Sequence, residues 1–152
     1  MQGMNTSRLG ALTGAILLTD AAAHLYWLTG RTWPASGTRT LSLAVLNFEV
    51  PFTFRVLAPL VLLLSVAAGA VIACSRGRGG RLALLVTGAV AAGTSVRAAA
   101  GLVWILGVGA DTGTPFYWLN LLLYTPLCAF MTVSTWIVLA RGFARAKTVQ
   151  PA

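Results

Sequence analysis

The amino-acid sequence predicts an all-α integral membrane protein: a single domain in which four helices form a bundle and a short interfacial helix occupies the first loop. Two observations predict this class. Hydrophobic residues make up 57% of the 152 residues and charged residues only 9%, well below the roughly one-quarter charged content of soluble domains. The apolar residues also gather into four stretches that are long enough to cross a bilayer core of about 30 Å as helices.

These four apolar stretches mark the predicted spans. They lie at about residues 9–29, 56–74, 82–108 and 116–140. The links SRGRGGR and GADTGTP are short and rich in glycine, so consecutive helices should be antiparallel neighbours. The first link contains the apolar piece LSLAVLNF, residues 41–48, which is too short to span. We expect this piece to be helical and to lie along the outer membrane surface or at the mouth of the bundle.

Lysine and arginine near the helix ends predict the orientation, because cytoplasmic loops carry an excess of both residues. Seven lie on the side of the two termini, and three lie on the opposite side. The seven are Arg8, Arg76, Arg78, Arg81, Arg141, Arg145 and Lys147, and the three are Arg31, Arg39 and Arg55. We therefore expect a multi-pass protein of the inner (cytoplasmic) membrane with both termini in the cytoplasm. A nucleic-acid partner is not expected, because the basic residues are scattered along the chain rather than gathered in one patch.

Three ionisable residues, Asp20, His24 and Arg97, fall within the predicted spans, where a charge is costly unless it is paired or reaches water. Asp20 and His24 are four residues apart and share a helix face. Asp20 and Arg97 both lie about ten residues from the outer ends of their helices, or roughly 15 Å below the outer surface. Their charged groups are therefore expected within about 4–6 Å of each other, directly or through one water. A structural ion pair and a proton-transferring site both fit this pattern.

The fourth span adds Asn120 and Tyr124, one turn apart, followed by Pro126, which should kink the helix and open a cavity beside it. Most of the aromatic residues are explained as a belt at the membrane interface. Trp27 and Trp104 lie deeper in the predicted spans. We expect Trp27, Trp104, Asn120 and Tyr124 to line a substrate pocket, where aromatic faces can stabilise cations.

Two further features each have two interpretations. Glu49 follows the short apolar piece, and a lid-like loop could lower it over the pocket as a second candidate acid. Alternatively, Glu49 is a solvated carboxylate that pairs with Arg55. The third span presents Gly93, Arg97 and Gly101 on one face, which favours tight helix packing, although small residues beside a ligand cavity give the same pattern.

Sequence motifs for several other chemistries are absent. There is no Walker loop, HExxH, GxSxG or dinucleotide-binding fingerprint. One histidine and three carboxylates on distant segments offer no metal-ligand cluster. Cys74 and Cys128 are far apart and belong to no CxxC pair. Neither a metal nor a cofactor is expected.

Three segments carry a resemblance to known sequences: HLYWLTGRTW from His24, VRAAAGLVWILG from Val96 and TPFYWLNLLLYTPLCAFMTVST from Thr114. Their elements H-x-Y-W-x-x-G and F-x-x-x-N-x-x-x-Y-x-P-L-C resemble a family of small four-helix bacterial membrane proteins known only as a domain of unknown function, DUF3995. The segments cover somewhat under a third of the chain, and the shared four-span layout extends the resemblance over most of its length. The first link is longer here than in the family, so the resemblance implies no lid role for Glu49.

The chain also resembles, in size, span number and sparse buried acids, the small membrane-bound meroterpenoid cyclases of actinobacterial indole-sesquiterpenoid pathways. That resemblance implies protonation of an alkene or epoxide of a prenyl chain, followed by cyclisation through carbocations. No signature motif matches residue by residue, so no site residue is transferred from these enzymes.

Three functions follow as hypotheses. The first is a membrane-embedded, acid-catalysed cyclase or isomerase that acts on an isoprenoid-like or meroterpenoid-like lipophilic substrate, with Asp20 as the general acid and with Arg97 and His24 tuning or reloading it. The second is a small proton-coupled exporter of lipophilic cations that works as a homodimer, although a positive charge at Arg97 beside the acid would repel such a substrate. The third is a structural membrane subunit. The expected partners are therefore the lipid bilayer and a lipophilic small molecule.

Overall fold

A computed structural model of the protein describes residues 5–148. Within this range the chain forms six α-helices and one π-helical turn, and no strand. They are α1 (Thr6–Leu28), α2 (Thr38–Leu46), α3 (Phe54–Ser75), α4 (Gly80–Ile105), α5 (Pro115–Leu119), the π turn (Asn120–Tyr124) and α6 (Thr125–Thr148). The predicted all-α class is confirmed.

Four helices are long and apolar enough to cross a membrane, and the protein is a multi-pass membrane protein as predicted. The first three spans are α1, α3 and α4, and the fourth, Pro115–Ala146, consists of α5, the π turn and most of α6. The predicted ends agree closely with the observed ones, except that α6 continues to Thr148, well past the predicted end at about residue 140. Hydropathy marks only the apolar part of a helix, and the last turns of α6 are rich in arginine.

The four spans pack in a ring in which each consecutive pair is in contact, as the short links predicted. α1 packs mainly against α3, α4 packs mainly against α6, and the α3–α4 and α1–α6 contacts close the ring. α3 also contacts α6 across the bundle, so α1 and α4 lie diagonally opposite each other without an extended interface. This arrangement determines which intramembrane side chains can meet.

α1 approaches α3 closely at two glycines one turn apart, Gly10 and Gly14. A Cβ atom at Gly10 would lie 2.3 Å from the Cβ of Ser75, and one at Gly14 would lie 2.5 Å from the Cδ1 of Ile72. Gly10 and Gly14 form a G-x-x-x-G pattern, which allows membrane helices to approach closely. The end of the bundle that contains Gly10 and Ser75 is therefore held by tight packing of α1 against α3.

The first link contains a short helix, α2, as predicted. Leu41 and Ser42 are buried, and α2 packs against α5. The Ser42 hydroxyl donates to the Phe48 carbonyl at 2.7 Å and accepts from the Val50 backbone N–H at 2.7 Å, which fixes the end of the helix. The short apolar piece therefore covers the end of the fourth span instead of forming a loose loop.

The fourth span changes its winding where the polar residues lie. The Thr125 backbone N–H donates to the Asn120 carbonyl, five residues earlier, which is the hydrogen bond of a π-helix. Pro126 follows directly and has no N–H with which to continue a regular α-helical pattern. The break that Pro126 predicted is thus present, and it takes the form of a π turn.

Candidate functional site

Asp20 and His24 form a carboxylate–imidazole pair on one face of α1. The His24 Nδ1 lies 3.3 Å from Asp20 Oδ1 and 2.8 Å from the Asp20 backbone carbonyl oxygen. Both neighbours are acceptors, so Nδ1 must carry a hydrogen. The side chain of Asp20 is 52% exposed and that of His24 only 12%, so the carboxylate is the member of the pair that a ligand can reach.

Asp20 borders an apolar groove between α1 and α6. The groove has a volume of about 500 Å³, within the range of small-molecule sites. Its polar lining consists of Thr19, Asp20, Tyr124 and Cys128. Its apolar lining consists of Leu12, Ala15, Ile16, Leu17, Ala23, Leu123, Leu127, Phe130 and Met131. Exposed leucines at its rim, Leu12 and Leu123, show that it opens on the flank of the bundle.

Arg97 lies at a second polar position, between α4 and the fourth span. Its Nη1 donates to Asn120 Oδ1 at 3.1 Å. Its Cζ lies 4.9 Å from the ring centre of Trp104 and 5.6 Å from that of Tyr124. The guanidinium is thus held by one amide oxygen and two aromatic faces, an arrangement in which cation–π attraction replaces part of the lost hydration.

Asn120 is the centre of this second position and is completely buried. Its Oδ1 accepts from Arg97 and also from the Thr125 hydroxyl at 3.3 Å, and its Nδ2 donates to the Gly101 carbonyl at 3.0 Å. A Cβ at Gly101 would lie 2.2 Å from Thr125 Oγ1. The predicted tight packing of α4 is therefore confirmed at Gly101, but it is wrong at Gly93, where a Cβ would meet nothing within 4 Å.

The direct form of the expected Asp20–Arg97 pairing is absent, because no ion pair joins the two side chains. Within the described residues Asp20 pairs with His24, and Arg97 pairs with no carboxylate. The physical reason is the topology, because α1 and α4 are diagonal in the ring and the fourth span lies between them. Tyr124 on that span lines the groove together with Asp20, and its ring centre lies 5.6 Å from Arg97 Cζ. The two polar positions are therefore separate but adjacent, with Tyr124 shared between them.

The other predicted site residues divide between these positions and the outer end of the bundle. Of the four residues predicted to line one pocket, Tyr124 lines the groove, while Trp104 and Asn120 surround Arg97. Trp27 does not line the groove. It packs edge-on against His24, with ring centres 5.0 Å apart, and its indole N–H donates to the Trp33 carbonyl at 3.2 Å.

Glu49 faces the exterior and is not among the residues that line the groove. Its Oε1 accepts a charge-assisted hydrogen bond from Arg39 Nε at 2.5 Å, and its side chain is 57% exposed. The partner is therefore Arg39, not the Arg55 of the alternative interpretation. In this position Glu49 acts as a solvated ion-pair member and not as a lid over the groove.

Two residues outside the predicted set of site residues belong to the site. Cys128, which the sequence placed in no CxxC pair, lines the groove beside Tyr124. Thr125 completes the Asn120 cluster. The spacing of Tyr124 and Cys128, four residues apart on the same helix, could have placed the thiol on the groove face. Among residues 5–148, no three His, Cys, Asp or Glu side chains lie together as a metal site would require.

The fold and these two positions define a class: a small four-span membrane protein with an acid–imidazole pair at a lateral groove and a partly buried arginine beside it. The family model described as "Protein of unknown function (DUF3995)" matches residues 17–135. The chain therefore belongs to this family, as its motifs predicted, and the match includes Asp20, His24, Arg97, Asn120 and Tyr124. No curated protein and no solved structure matches the chain. The resemblance to meroterpenoid cyclases stays a prediction.

Proposed function

We propose that the protein is a membrane-embedded acid–base enzyme, an isomerase or cyclase, that acts on an isoprenoid-like or meroterpenoid-like lipophilic substrate in the α1–α6 groove. The observation that carries this proposal is the position of the Asp20–His24 pair at the wall of an apolar groove that opens on the flank of the bundle. A substrate can enter such a groove from the bilayer without crossing an aqueous phase.

The chemistry needs two proton transfers and no redox step. Asp20, as the carboxylic acid, donates its proton to an alkene carbon, and the π electrons of the alkene form the new C–H bond. The resulting carbocation loses a proton from another carbon to the Asp20 carboxylate or to His24, which leaves an isomer of the substrate. General acids and bases of this kind contribute typically about 10²–10⁴-fold when they are correctly placed.

The groove suits a hydrocarbon chain. Its α1 lining extends from Leu12 to Ala23, or roughly 16 Å along the helix at 1.5 Å per residue. Its lining is mostly aliphatic, and Tyr124 and Phe130 contribute two aromatic rings. Trp27 and Trp104 lie outside it, so Tyr124 is the member of the predicted aromatic group that is placed to face a cationic intermediate.

Turnover in deuterium oxide tests the proposal. The protein in lipid nanodiscs is incubated with polyprenyl alcohols of 15 and 20 carbons and with their terminal epoxides, and products of unchanged elemental composition are sought by mass spectrometry. An alkene protonated by Asp20 gives an isomer with one deuterium bound to carbon. We expect Asp20→Asn to lower this incorporation by about two or more orders of magnitude while the protein still folds.

Asp20 and Arg97 are not ion-paired, so Asp20→Asn takes no counter-ion away from Arg97. The single variant therefore tests the role of Asp20 in catalysis without a compensating change at Arg97. Glu49→Gln is the matched control, since it neutralises a carboxylate outside the groove and should keep full turnover. If the Asp20→Asn variant retains wild-type incorporation, or if only the Glu49→Gln variant loses it, Asp20 is not the acid.

A lipophilic-cation exporter is the second candidate, and one observation favours it. Arg97 donates to Asn120 and is not paired with Asp20, so the positive charge that would repel a cationic substrate is not in direct contact with the acid. Proteoliposomes with an imposed proton gradient and tetraphenylphosphonium as the probe separate the candidates. Gradient-driven accumulation that requires Asp20, without any isomer formation, would favour export over catalysis.

The distribution of charge supports an inner-membrane location with both termini in the cytoplasm. The three acidic residues Asp20, Glu49 and Asp111 all lie on α1 or on the outer links. The opposite end carries arginines that bind across helices: Arg141 donates to Thr6, and Arg145 donates to the Ser75 carbonyl at 3.4 Å. Such an excess of arginine favours the cytoplasmic side. A homo-oligomer is part of the export alternative only.

A further inference from the structure

Arg97 uses little of its hydrogen-bonding capacity on the protein itself. A guanidinium carries five N–H donors and no acceptor. Among the described residues, the hydrogen bond that Arg97 makes is from Nη1 to Asn120 Oδ1. Its other contacts are the two aromatic faces of Trp104 and Tyr124, which accept no conventional hydrogen bond. Most of a partly buried, permanently charged group is therefore available to an acceptor from outside the chain.

Among residues 5–148, none of the acidic side chains forms an ion pair with Arg97. The sequence contains three acidic residues. Asp20 pairs with His24, Glu49 pairs with Arg39, and Asp111 accepts from the Gly113 backbone N–H at 2.9 Å. A charge at intramembrane depth is costly unless a counter-charge or water compensates it. Retaining an arginine here without a carboxylate partner points to a ligand that brings the negative charge.

The position is also rigid. Asn120 is fully buried and has its amide occupied on both sides. Trp104, under the guanidinium, packs edge-on against the buried ring of Phe116, with ring centres 5.1 Å apart. The edge of the Arg97 guanidinium that binds Asn120 is therefore fixed. The remaining N–H donors are oriented before a ligand arrives, which reduces the entropy lost when the ligand binds.

We propose that Arg97 binds the anionic head group of an isoprenoid-like amphiphile, a phosphate ester, whose hydrocarbon tail occupies the α1–α6 groove; this deepens and rests on the function proposed above. Tyr124 lines the groove, and its ring centre lies 5.6 Å from Arg97 Cζ, so a head group at Arg97 and a tail in the groove can belong to one molecule. The planar fork of arginine matches two oxygens of a phosphate. The Asp20 carboxyl group pairs with His24 and not with Arg97.

The test compares three ligands that share one tail. Dissociation constants of farnesyl monophosphate, farnesol and farnesylamine are measured by equilibrium binding to the whole protein in phosphatidylcholine nanodiscs. We expect the phosphate to bind about tenfold or more tightly than the alcohol, and the amine to bind most weakly. Arg97→Gln keeps a donor for Asn120 and removes the charge, so it should bring phosphate and alcohol within about twofold of each other.

Arg55→Gln is the matched control, because it removes an exposed arginine at the start of α3; it should keep the wild-type preference. Equal binding of phosphate and alcohol by the wild type, or a preference that survives Arg97→Gln, would overturn the inference. Inorganic phosphate, added as a competitor, distinguishes a head group joined to a tail from a free anion. If inorganic phosphate displaces the bound ligand as strongly as farnesyl monophosphate does, the tail contributes nothing and the proposed amphiphilic ligand is wrong.

A variant at the other position separates this inference from the proposed function. Asp20→Asn should keep the preference for phosphate, since Asp20 does not contact Arg97, while it removes turnover. If turnover requires Asp20 but no head-group preference depends on Arg97, the proposed function stands and the inference fails. If the preference depends on Arg97 but deuterium incorporation is unaffected by Asp20→Asn, the function fails and Arg97 remains an anion site.

Discussion

The Asn120 cluster and the Asp20–His24 pair are both polar groups at membrane depth, yet their surroundings differ. Asn120 is completely buried and is hydrogen-bonded to three partners on α4 and on its own span. Asp20 is half exposed, contacts one side chain and borders a groove. A saturated polar cluster fixes the distance and register of two helices, whereas an exposed carboxylate with one partner remains available for a ligand or a proton.

Arg97 shares features of both. One edge of its guanidinium belongs to the saturated cluster through Asn120, and the rest is free of conventional partners among residues 5–148. The difference teaches that polarity inside a membrane span does not by itself identify a reactive residue. The number of hydrogen bonds already made and the access to a cavity separate structural groups from candidate functional ones.

Replacing Asn120 should have the largest effect on stability. Asn120→Leu removes the acceptor of Arg97 and the donor of the Gly101 carbonyl, and each buried group left unsatisfied costs about 1–3 kcal/mol, more if it is charged. The free energy of unfolding in detergent micelles measures the loss. The double variant Asn120→Leu with Arg97→Leu removes the stranded charge and should recover part of it. Equal stability of the single and double variants would show that the cluster does not compensate Arg97.

A smaller loss is expected at the α4–α6 contact. Gly101→Ala places a methyl group 2.2 Å from Thr125 Oγ1, and such overpacking costs typically about 1–3 kcal/mol. Gly93→Ala is the control about two turns earlier on the same helix face, where the added methyl meets nothing within 4 Å. This variant should be neutral or slightly stabilising, because alanine favours helix more than glycine does. The unfolding temperatures of both variants are measured in the same detergent. Similar unfolding temperatures for the two would contradict the close approach of Gly101 to Thr125.

The smallest effect is expected at Glu49. Its ion pair with Arg39 is exposed on both sides, with side chains 77% and 57% accessible, and such pairs contribute about 0–1 kcal/mol. Glu49→Gln should therefore leave unfolding almost unchanged in high salt and lower stability only slightly in low salt. A loss of several kcal/mol would mean that the first link is coupled to the bundle more strongly than its contacts indicate.

The sequence predicted the spans well, because hydropathy over some twenty residues reports directly on membrane insertion. It also predicted the short helix α2 and the break before Pro126. The sequence analysis predicted tight packing on α4 and overlooked Gly10 and Gly14 on α1. The G-x-x-x-G spacing of these two glycines is a stronger indication of close helix approach than the glycines of α4 are.

The expected Asp20–Arg97 pair shows the limit of such reasoning. Depth along a helix can be estimated from the rise per residue, and Asp20 and Arg97 were placed at similar depth on that basis. Which helices are neighbours depends on packing around the whole ring, and there α1 and α4 are diagonal. The same limit applied to the pocket: Tyr124 reaches the groove, whereas Trp104 and Asn120 face Arg97.

The most direct test of the central claim is to locate a bound isoprenoid on the protein. A C15 isoprenoid alcohol that carries a diazirine is photolysed with the protein in nanodiscs, and labelled residues are mapped by mass spectrometry. We expect labelling within residues 12–23 and 123–131, which line the groove. Labelling should be abolished by Ala15→Trp, which fills the groove, and unchanged by Ala92→Trp on the exposed side of α4. Labelling spread evenly over the lipid-facing helices, or unaffected by Ala15→Trp, would contradict a ligand site in the groove.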